Sequence, residues 1–376
     1  MILCDHIFYE WLDTSSGPEV PVLAVYPVFK KEPRVINGGG PGFNLDLIKY
    51  QNMHYQPPTT NILEPDLTTT ENSSAFCKLP NNLGPINVDM TKVELAWVET
   101  LYPQVERGGM YTPSNCIPKH KVCIIVSYRD REEHLAIFLR HIHPFLMNQK
   151  LEYSIYVVEQ TDNKEFNKGM LYNAAFLETQ VMKPDGCDCL IFQDVDLLPL
   201  DSRNIYSCPK QPRHMSVVIN SRYRFIYDDN NFGGVSAIKY EQFVDINGYS
   251  NQYWGWGGED DDISIRLRHK GYFISRYSKS IARYIMLPHV KRKPVLAKLD
   301  IFYFNTATRA RLKHTIANYP HDGLNNIQYH LVGTMENNLY TLIQIDVDKY
   351  LHQMELSPQN KINSNESTKY RNKRVI

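Results

Sequence analysis

The chain has 376 residues, 41 basic against 41 acidic, and 43% of it is hydrophobic. A net charge of zero gives no electrostatic footprint for nucleic acid or an acidic membrane surface, so neither partner is expected. The hydrophobic share supports a genuine core, and the length suits one large α/β domain with appendages as well as two domains. The 25 tyrosines and 15 phenylalanines suit a surface for flat, hydroxyl-rich ligands, although a β-rich core would use them too.

In chain order, residues 1–75 are rich in Pro, Gly, Thr and Asn ("NGGGPGFN", "YQPPTTNILEPDLTTTENSS") and read as a stem or linker. Neither a signal peptide nor a membrane span is visible there. "MILCDHIFYEWL" carries Asp5 and Glu10, and "VPVLAVYPVF" is too short to cross a bilayer. The expectation is a soluble chain, or a sequence that starts downstream of the true N-terminus. Sequons at Asn72 and Asn365 fit a secretory protein but also arise by chance. The seven cysteines form no CxxC pair; Cys187 and Cys189 form only CxC, so buried thiols and secretory disulfides both stay open.

A regular pattern then begins. "VCIIVSYR" (122–129) is a β-branched apolar run and predicts a buried strand. The following "REEHLAIFLRHIHPFLMNQ" sets Leu135, Phe138, Leu139, Ile142 and Leu146 on one helical face. Strand "SIYVVEQ" (154–160), helix "FNKGMLYNAAFLETQVM" (166–182) and strands "CLIFQDVD" (189–196) and "MSVVIN" (215–220) continue the series. The alternation predicts an α/β fold with a parallel, doubly wound sheet, whose ligands bind beyond the carboxyl ends of the strands. "SPQNKINSNESTKYRNKRVI" closes the chain as a polar tail.

Three stretches carry residues suited to chemistry. Asp194-Val195-Asp196 ends a strand; a turn would use such acids for hydrogen bonds, while a site would use them to hold a divalent cation on a nucleotide's phosphates. Met286 and His289 in "YIMLPHVKRK" read singly as a core residue and a satisfied polar one, yet imidazole binds Mn²⁺ or Zn²⁺ and Asp196 would add oxygen. "YWGWGGEDDD" (253–262) opens a helix with four acids that favour its N-terminal dipole. The dipole does not explain Trp-Gly-Trp-Gly-Gly. Glycines admit close approach of backbone and ligand, tryptophan stacks on sugar, and a carboxylate there can take a proton from an attacking hydroxyl.

Together "HKVCIIVSYRDREEHL", "FNKGMLYNAAF", "FQDVDLLPL", "QPRHMSVVIN", "NFGGVSA", "INGYSNQYWGWGGEDDDISIRL" and "DGLNN" resemble the β-1,4-galactosyltransferase family, in family order over roughly 70% of the chain. The resemblance implies a Rossmann-like, GT-A type nucleotide-sugar-binding fold, with a mostly parallel mixed sheet and helices on both faces. It places a catalytic domain at 76–350, between the stem and a tail at 351–376. It further implies Mn²⁺-dependent inverting transfer from UDP-Gal, with Asp196, Met286 and His289 as metal ligands. Asp194 would lie beside the donor sugar and ribose, Tyr128, Arg129 and Arg131 in the segment that holds the nucleotide, and Phe166 and Lys168 around the uracil. The family commonly has Arg where Lys168 stands. Trp256, with Gly258 nearby, matches a small loop that closes over the donor. Asp260 matches the proposed general base, Glu259 and Asp261 help to place the acceptor, and Asp262 reads as an ordinary helix-start acid.

The resemblance also implies disulfides Cys77–Cys116 and Cys189–Cys208, leaving Cys4, Cys123 and Cys187 unpaired, with Cys123 a buried thiol. Family members reside in the Golgi through an N-terminal anchor that this sequence does not show; truncation or secretion would account for that. The sequence departs from the family in two places. Asn231 stands where many members have a tyrosine that crowds the donor's 2-position, which opens UDP-GalNAc as a donor. The stretch from His289 to "DGLNN" is long and poorly matched, although Phe302, Tyr303 and Phe304 could rebuild an acceptor pocket. Terminal GlcNAc on a glycoprotein is the default acceptor and glucose on a glycolipid the other. The alternatives are a sugar-binding protein that has lost turnover and a relative acting on xylose in the proteoglycan linker.

Overall fold

The protein is described by a computed structural model over residues 75–183, 186–220, 225–226, 231–288, 308 and 310–347. The tail, nearly all of the stem, Cys4, the two sequons, His289 and Phe302–Phe304 lie outside the described residues. Twelve strands are described: β1 (Met110–Tyr111), β2 (Lys121–Tyr128), β3 (Glu152–Gln160), β4 (Cys189–Asp194), β5 (Leu197–Pro199), β6 (Arg213–His214), β7 (Val218–Asn220), β8 (Phe225–Ile226), β9 (Val235–Lys239), β10 (Arg283–Met286), β11 (His330–Glu336) and β12 (Thr341–Asp346). The α-helices are α1 (Leu95–Leu101), α2 (Glu132–Asn148), α3 (Lys168–Met182), α4 (Tyr240–Asp245), α5 (Glu259–His269) and α6 (Thr315–Asn318).

The main sheet runs β11-β12-β3-β2-β4-β9-β6, with β1 added to β3. Its centre, β12-β3-β2-β4, is parallel, and β11, β9, β6 and β1 are antiparallel to their neighbours. Alternation along β2 divides the core. Val122, Ile124 and Val126 face α2 with Leu135, Phe138, Leu139, Ile142 and Leu146, so the periodic face read from the sequence is the buried one. Cys123 and Ile125 face the other layer, where α3, α4 and α5 supply Leu171, Phe176, Phe243, Ile263 and Leu267. The helices therefore cover both faces.

The parallel series is not completed as expected. "MSVVIN" forms only β7, in a second sheet ordered β5-β10-β7-β8. The fourth parallel strand is β12, more than a hundred residues further on. A buried apolar run encodes burial, not which strand it pairs with.

Cys77–Cys116 and Cys189–Cys208 are bonded as expected, with Cα separations of 4.8 and 5.2 Å. Cys123 and Cys187 are not free thiols: they form a third disulfide, Cα to Cα 5.8 Å. The strand faces explain the pairing. Cys123 and Cys187 sit in the layer under α3, whereas Cys189 and Cys208 belong to the layer under α2. Among the described residues no helix is long and apolar enough to cross a membrane.

Candidate active site

The sheet order reverses at β2: β3 lies on one side and β4 on the other. This is the crevice where open α/β sheets bind ligands. Ser127 pairs with Asp194 across it, so Tyr128 and Arg129 emerge beside the Asp194-Val195-Asp196 turn. The strand does not continue through the acid pair. β4 ends at Asp194, the chain turns over Val195 and Asp196, and β5 leaves for the second sheet.

That turn brings together two of the residues named above as candidate metal ligands. β5 pairs antiparallel with β10, placing Met286 opposite Leu197, and the Leu287 N–H donates to the Asp196 carbonyl at 2.8 Å. Asp196 and Met286 are therefore neighbours. His289 follows Met286 by three residues and lies outside the described residues; among those described, no group of three His, Cys, Asp or Glu could hold a metal. Pro288, just before it, is anchored by His134 of α2, whose Nε2 lies 3.2 Å from the Pro288 carbonyl oxygen. The same ring's Nδ1 lies 3.3 Å from Arg131 Nη1.

Phe166 and Lys168 flank Asn167, the N-cap of α3, but face different surroundings. The Arg129 guanidinium sits 5.3 Å from the Phe166 ring centroid and donates to the carbonyls of Asp162 (3.4 Å) and Lys164 (2.8 Å). This gives a flat aromatic-cationic surface at the β2 tip. The Lys168 ammonium lies among carboxylates instead: 2.8 Å from Glu259 Oε1, 2.9 Å from Asp260 Oδ1 and 4.0 Å from Asp194 Oδ1. Tyr172, one turn further along α3, places its hydroxyl 3.5 Å from Asp194 Oδ1 and 3.3 Å from Ser127 Oγ. Sequence reading gave Tyr172 no role, although its i+4 spacing from Lys168 was a usable signal.

α5 supplies the facing acids. Burial, opposed by the Lys168 ammonium and reinforced by Glu259 and Asp194, pushes the Asp260 carboxyl up to about 7. Burial, again opposed by Lys168 and reinforced by Asp196 and Glu259, pushes Asp194 up to about 6. Burial disfavours the charge on Lys168, but Asp194, Asp260 and Glu259 outweigh it and hold its pKa well above the usual lysine value. Glu259 Oε2 is buried without a hydrogen-bond partner among the described residues, so it can accept from a bound hydroxyl. Asp261 is half-buried beside it.

Gly233 packs directly behind this acidic cluster. A Cβ there would fall inside the Asp260 carboxylate, so only glycine lets β9's leading turn approach α5. Asn231 braces that turn: its Oδ1 accepts the Gly233 N–H at 2.7 Å and its carbonyl accepts Arg276 Nη2–H at 2.8 Å. The stretch ahead of α5 bends through Gly255, Gly257 and Gly258, all at positive φ, and leaves Trp256 88% exposed. Its base is tied to the Arg129–Phe166 surface, because Gly255 N–H donates to the Phe166 carbonyl at 2.8 Å. Gly258 is packed under Tyr253, where a Cβ would come within 2.6 Å of the ring.

Asp262 is not an ordinary helix-start acid. It is 2% exposed and bound by Arg266, Thr315 and Tyr253. Its i,i+4 spacing to Arg266 was legible; the burial of the pair was not.

A strand-tip acid pair at the switch point, facing a second acidic cluster on a helix, sits on a fold whose solved relatives are GT-A type glycosyltransferases. The sequence matches two family models, the N-terminal region of glycosyl transferase group 7 over residues 77–209 and the N-terminal domain of galactosyltransferase over 213–290. It is 40% identical to mouse beta-1,4-galactosyltransferase 1 over 71% of this chain and 65% of that one. It is 36% identical to mouse beta-1,4-galactosyltransferase 5 over 79% and 75%. The fold is similar to the crystal structure of the catalytic domain of Drosophila beta-1,4-galactosyltransferase 7 with xylobiose, at TM-score 0.52 and 29% identity, covering 62% of this chain and 97% of that one. A mutant of that enzyme, solved with manganese, UDP-Gal and xylobiose, gives TM-score 0.51. The chain belongs to the β-1,4-galactosyltransferase family.

Proposed function

We propose that the protein is an Mn²⁺-dependent inverting transferase. It moves galactose, or N-acetylgalactosamine, from its UDP-sugar to the 4-hydroxyl of a terminal GlcNAc or glucose on a glycoprotein or glycolipid. The observation that carries this reading is the meeting of two acid clusters, Asp194 from the strand tip and Glu259 with Asp260 from α5, on one ammonium in the switch-point crevice. A protein that only binds sugar has no use for a second acid set at a nucleotide crevice.

Asp196 and Met286, with His289 beyond them, would hold the cation. A Mn²⁺ held there would neutralise the diphosphate and make UDP a better leaving group. Tyr128, Arg129, Arg131 and Phe166 receive the nucleotide at the β2 tip, and Trp256 stacks over the donor. Asp260 takes the proton of the acceptor hydroxyl as its oxygen bonds to the anomeric carbon, while the bond to phosphate breaks on the opposite face. A base near pKa 7 suits neutral operation. Glu259 and Asp261 orient the acceptor hydroxyls. Asn231 is smaller than the family's usual tyrosine and turned onto Gly233, which supports room for a 2-acetamido group. The three disulfides support an oxidising compartment, in keeping with the Golgi lumen.

The test is release of UDP from UDP-Gal and UDP-GalNAc with Mn²⁺ and GlcNAc, glucose or xylose, with and without chelator. Acceptor-dependent release lost on chelation is expected. No release from either donor with any acceptor would refute the reading, and release with xylose alone would assign the enzyme to the proteoglycan linker.

A further inference from the structure

α5 carries three acids that must be placed to within about half an ångström for the proposed chemistry. Its own ends cannot do this. The helix has 11 residues, its N-cap is Gly258 at φ 101°, and no side chain caps it. Upstream lie two further glycines at positive φ, and that entry is tied through backbone alone, by the Gly255 N–H to the Phe166 carbonyl at 2.8 Å. A buried charged post, Asp262 one turn into the helix and Arg266 a turn further, adds a directional anchor to the apolar packing of Ile263 and Leu267. The Arg266 side chain is 1% exposed and donates from Nε to Asp262 Oδ2 at 2.6 Å. Nη1 donates to the carbonyls of Gly248 (3.2 Å) and Asp322 (2.7 Å), and Nη2 lies 3.4 Å from Asp322 Oδ2.

The remaining oxygens of the two acids are also used. Asp322 accepts from Ser250 Oγ and, at 2.9 Å, from the Asn251 N–H. Asp262 Oδ1 accepts from Thr315 Oγ1 at 2.7 Å, with the Tyr253 hydroxyl at 3.4 Å. The post therefore fastens three pieces together: residues 248–253 that enter the Gly-Trp stretch, α5 that leaves it, and 315–322 that end the poorly matched segment. One member alone would be an ordinary buried ion pair. The joining of three chain segments beside the acceptor acids is what a positioning device requires.

We infer that Arg266, Asp262, Asp322 and Thr315 form a positioning network that sets the acceptor site against the fixed nucleotide crevice, so that its loss weakens acceptor binding and spares donor binding. The inference rests on the proposed transferase reading. None of the four touches the reacting atoms.

Thr315→Val removes one hydroxyl at nearly constant volume, and Asp322→Asn removes one charge and keeps the shape. With each, the acceptor KM is expected to rise about tenfold, roughly 1.4 kcal/mol of lost binding, while the donor KM moves less than twofold. Thr315→Ser should restore the wild-type acceptor KM. Simple destabilisation cannot imitate this split, because a smaller folded fraction lowers Vmax without moving KM. Wild-type acceptor KM in both variants, or equal changes in donor and acceptor KM, would overturn the inference alone. Absence of transfer by the wild type to any acceptor would overturn the proposed function and this inference with it.

Discussion

The two acid clusters of the cleft are built in opposite ways. Asp194 ends a strand at the middle of the sheet, flanked by β2 and β9 and backed by residues with no exposure, so the sheet itself places it. Glu259 and Asp260 stand on the first turn of a short helix behind a run of glycines, and their placement depends on Gly233 behind and a buried ion network below. A sheet-borne site tolerates loss of a neighbour because its backbone is over-determined. A helix-start site held by side chains does not. Lys168 joins the two: its ammonium reaches Asp194 on one side and Glu259 and Asp260 on the other.

Three substitutions probe that difference, in falling order of effect. Gly233→Ala forces a methyl into the Asp260 carboxylate and should lower kcat/KM about 10²-fold, the scale of an ångström's misplacement. Titration calorimetry with UDP and Mn²⁺ should find the nucleotide site intact; an equal loss of UDP affinity would mean that the clusters are not built independently. Lys168→Met removes the charge that opposes burial at Asp260, so the Asp260 pKa should rise above about 7. Because activity needs the carboxylate, the acidic limb of the kcat/KM profile should move to higher pH. A limb that stays still or moves down would remove Lys168 from control of that proton. Asn231→Tyr should have the smallest effect, lowering the GalNAc-to-Gal transfer ratio several-fold; equal loss with both donors would refute the gate.

Much of the sheet-borne half was legible in the sequence. The run from β2 to β4 shows its periods openly, since buried parallel strands are continuous apolar runs and α2 carries one clean face. The acid pair follows from its place at a strand end. β12 was missed because "TLIQID" carries an alternating pattern that says nothing of its parallel partner. The other half was legible as a motif and not as a structure. A run of four acids reads as solvated, and the burial of Asp262 depends on Thr315 and on Arg266, which reaches Asp322, 56 residues further along the chain. The Cys123–Cys187 bond likewise depends on which face of the sheet each sulfur enters, and CxC spacing does not state that.

In the proposed transferase the helix-borne cluster performs the proton transfer while the strand-borne cluster serves the nucleotide. Asp260→Asn tests it most directly when transfer and UDP–Mn²⁺ affinity are measured on the same preparation. Loss of general-base assistance should cut turnover by about 10²- to 10⁴-fold and leave UDP–Mn²⁺ affinity within about twofold of wild type. Turnover comparable to wild type would remove Asp260 from the proton transfer, and a matching collapse of nucleotide affinity would show that the two clusters do not act separately.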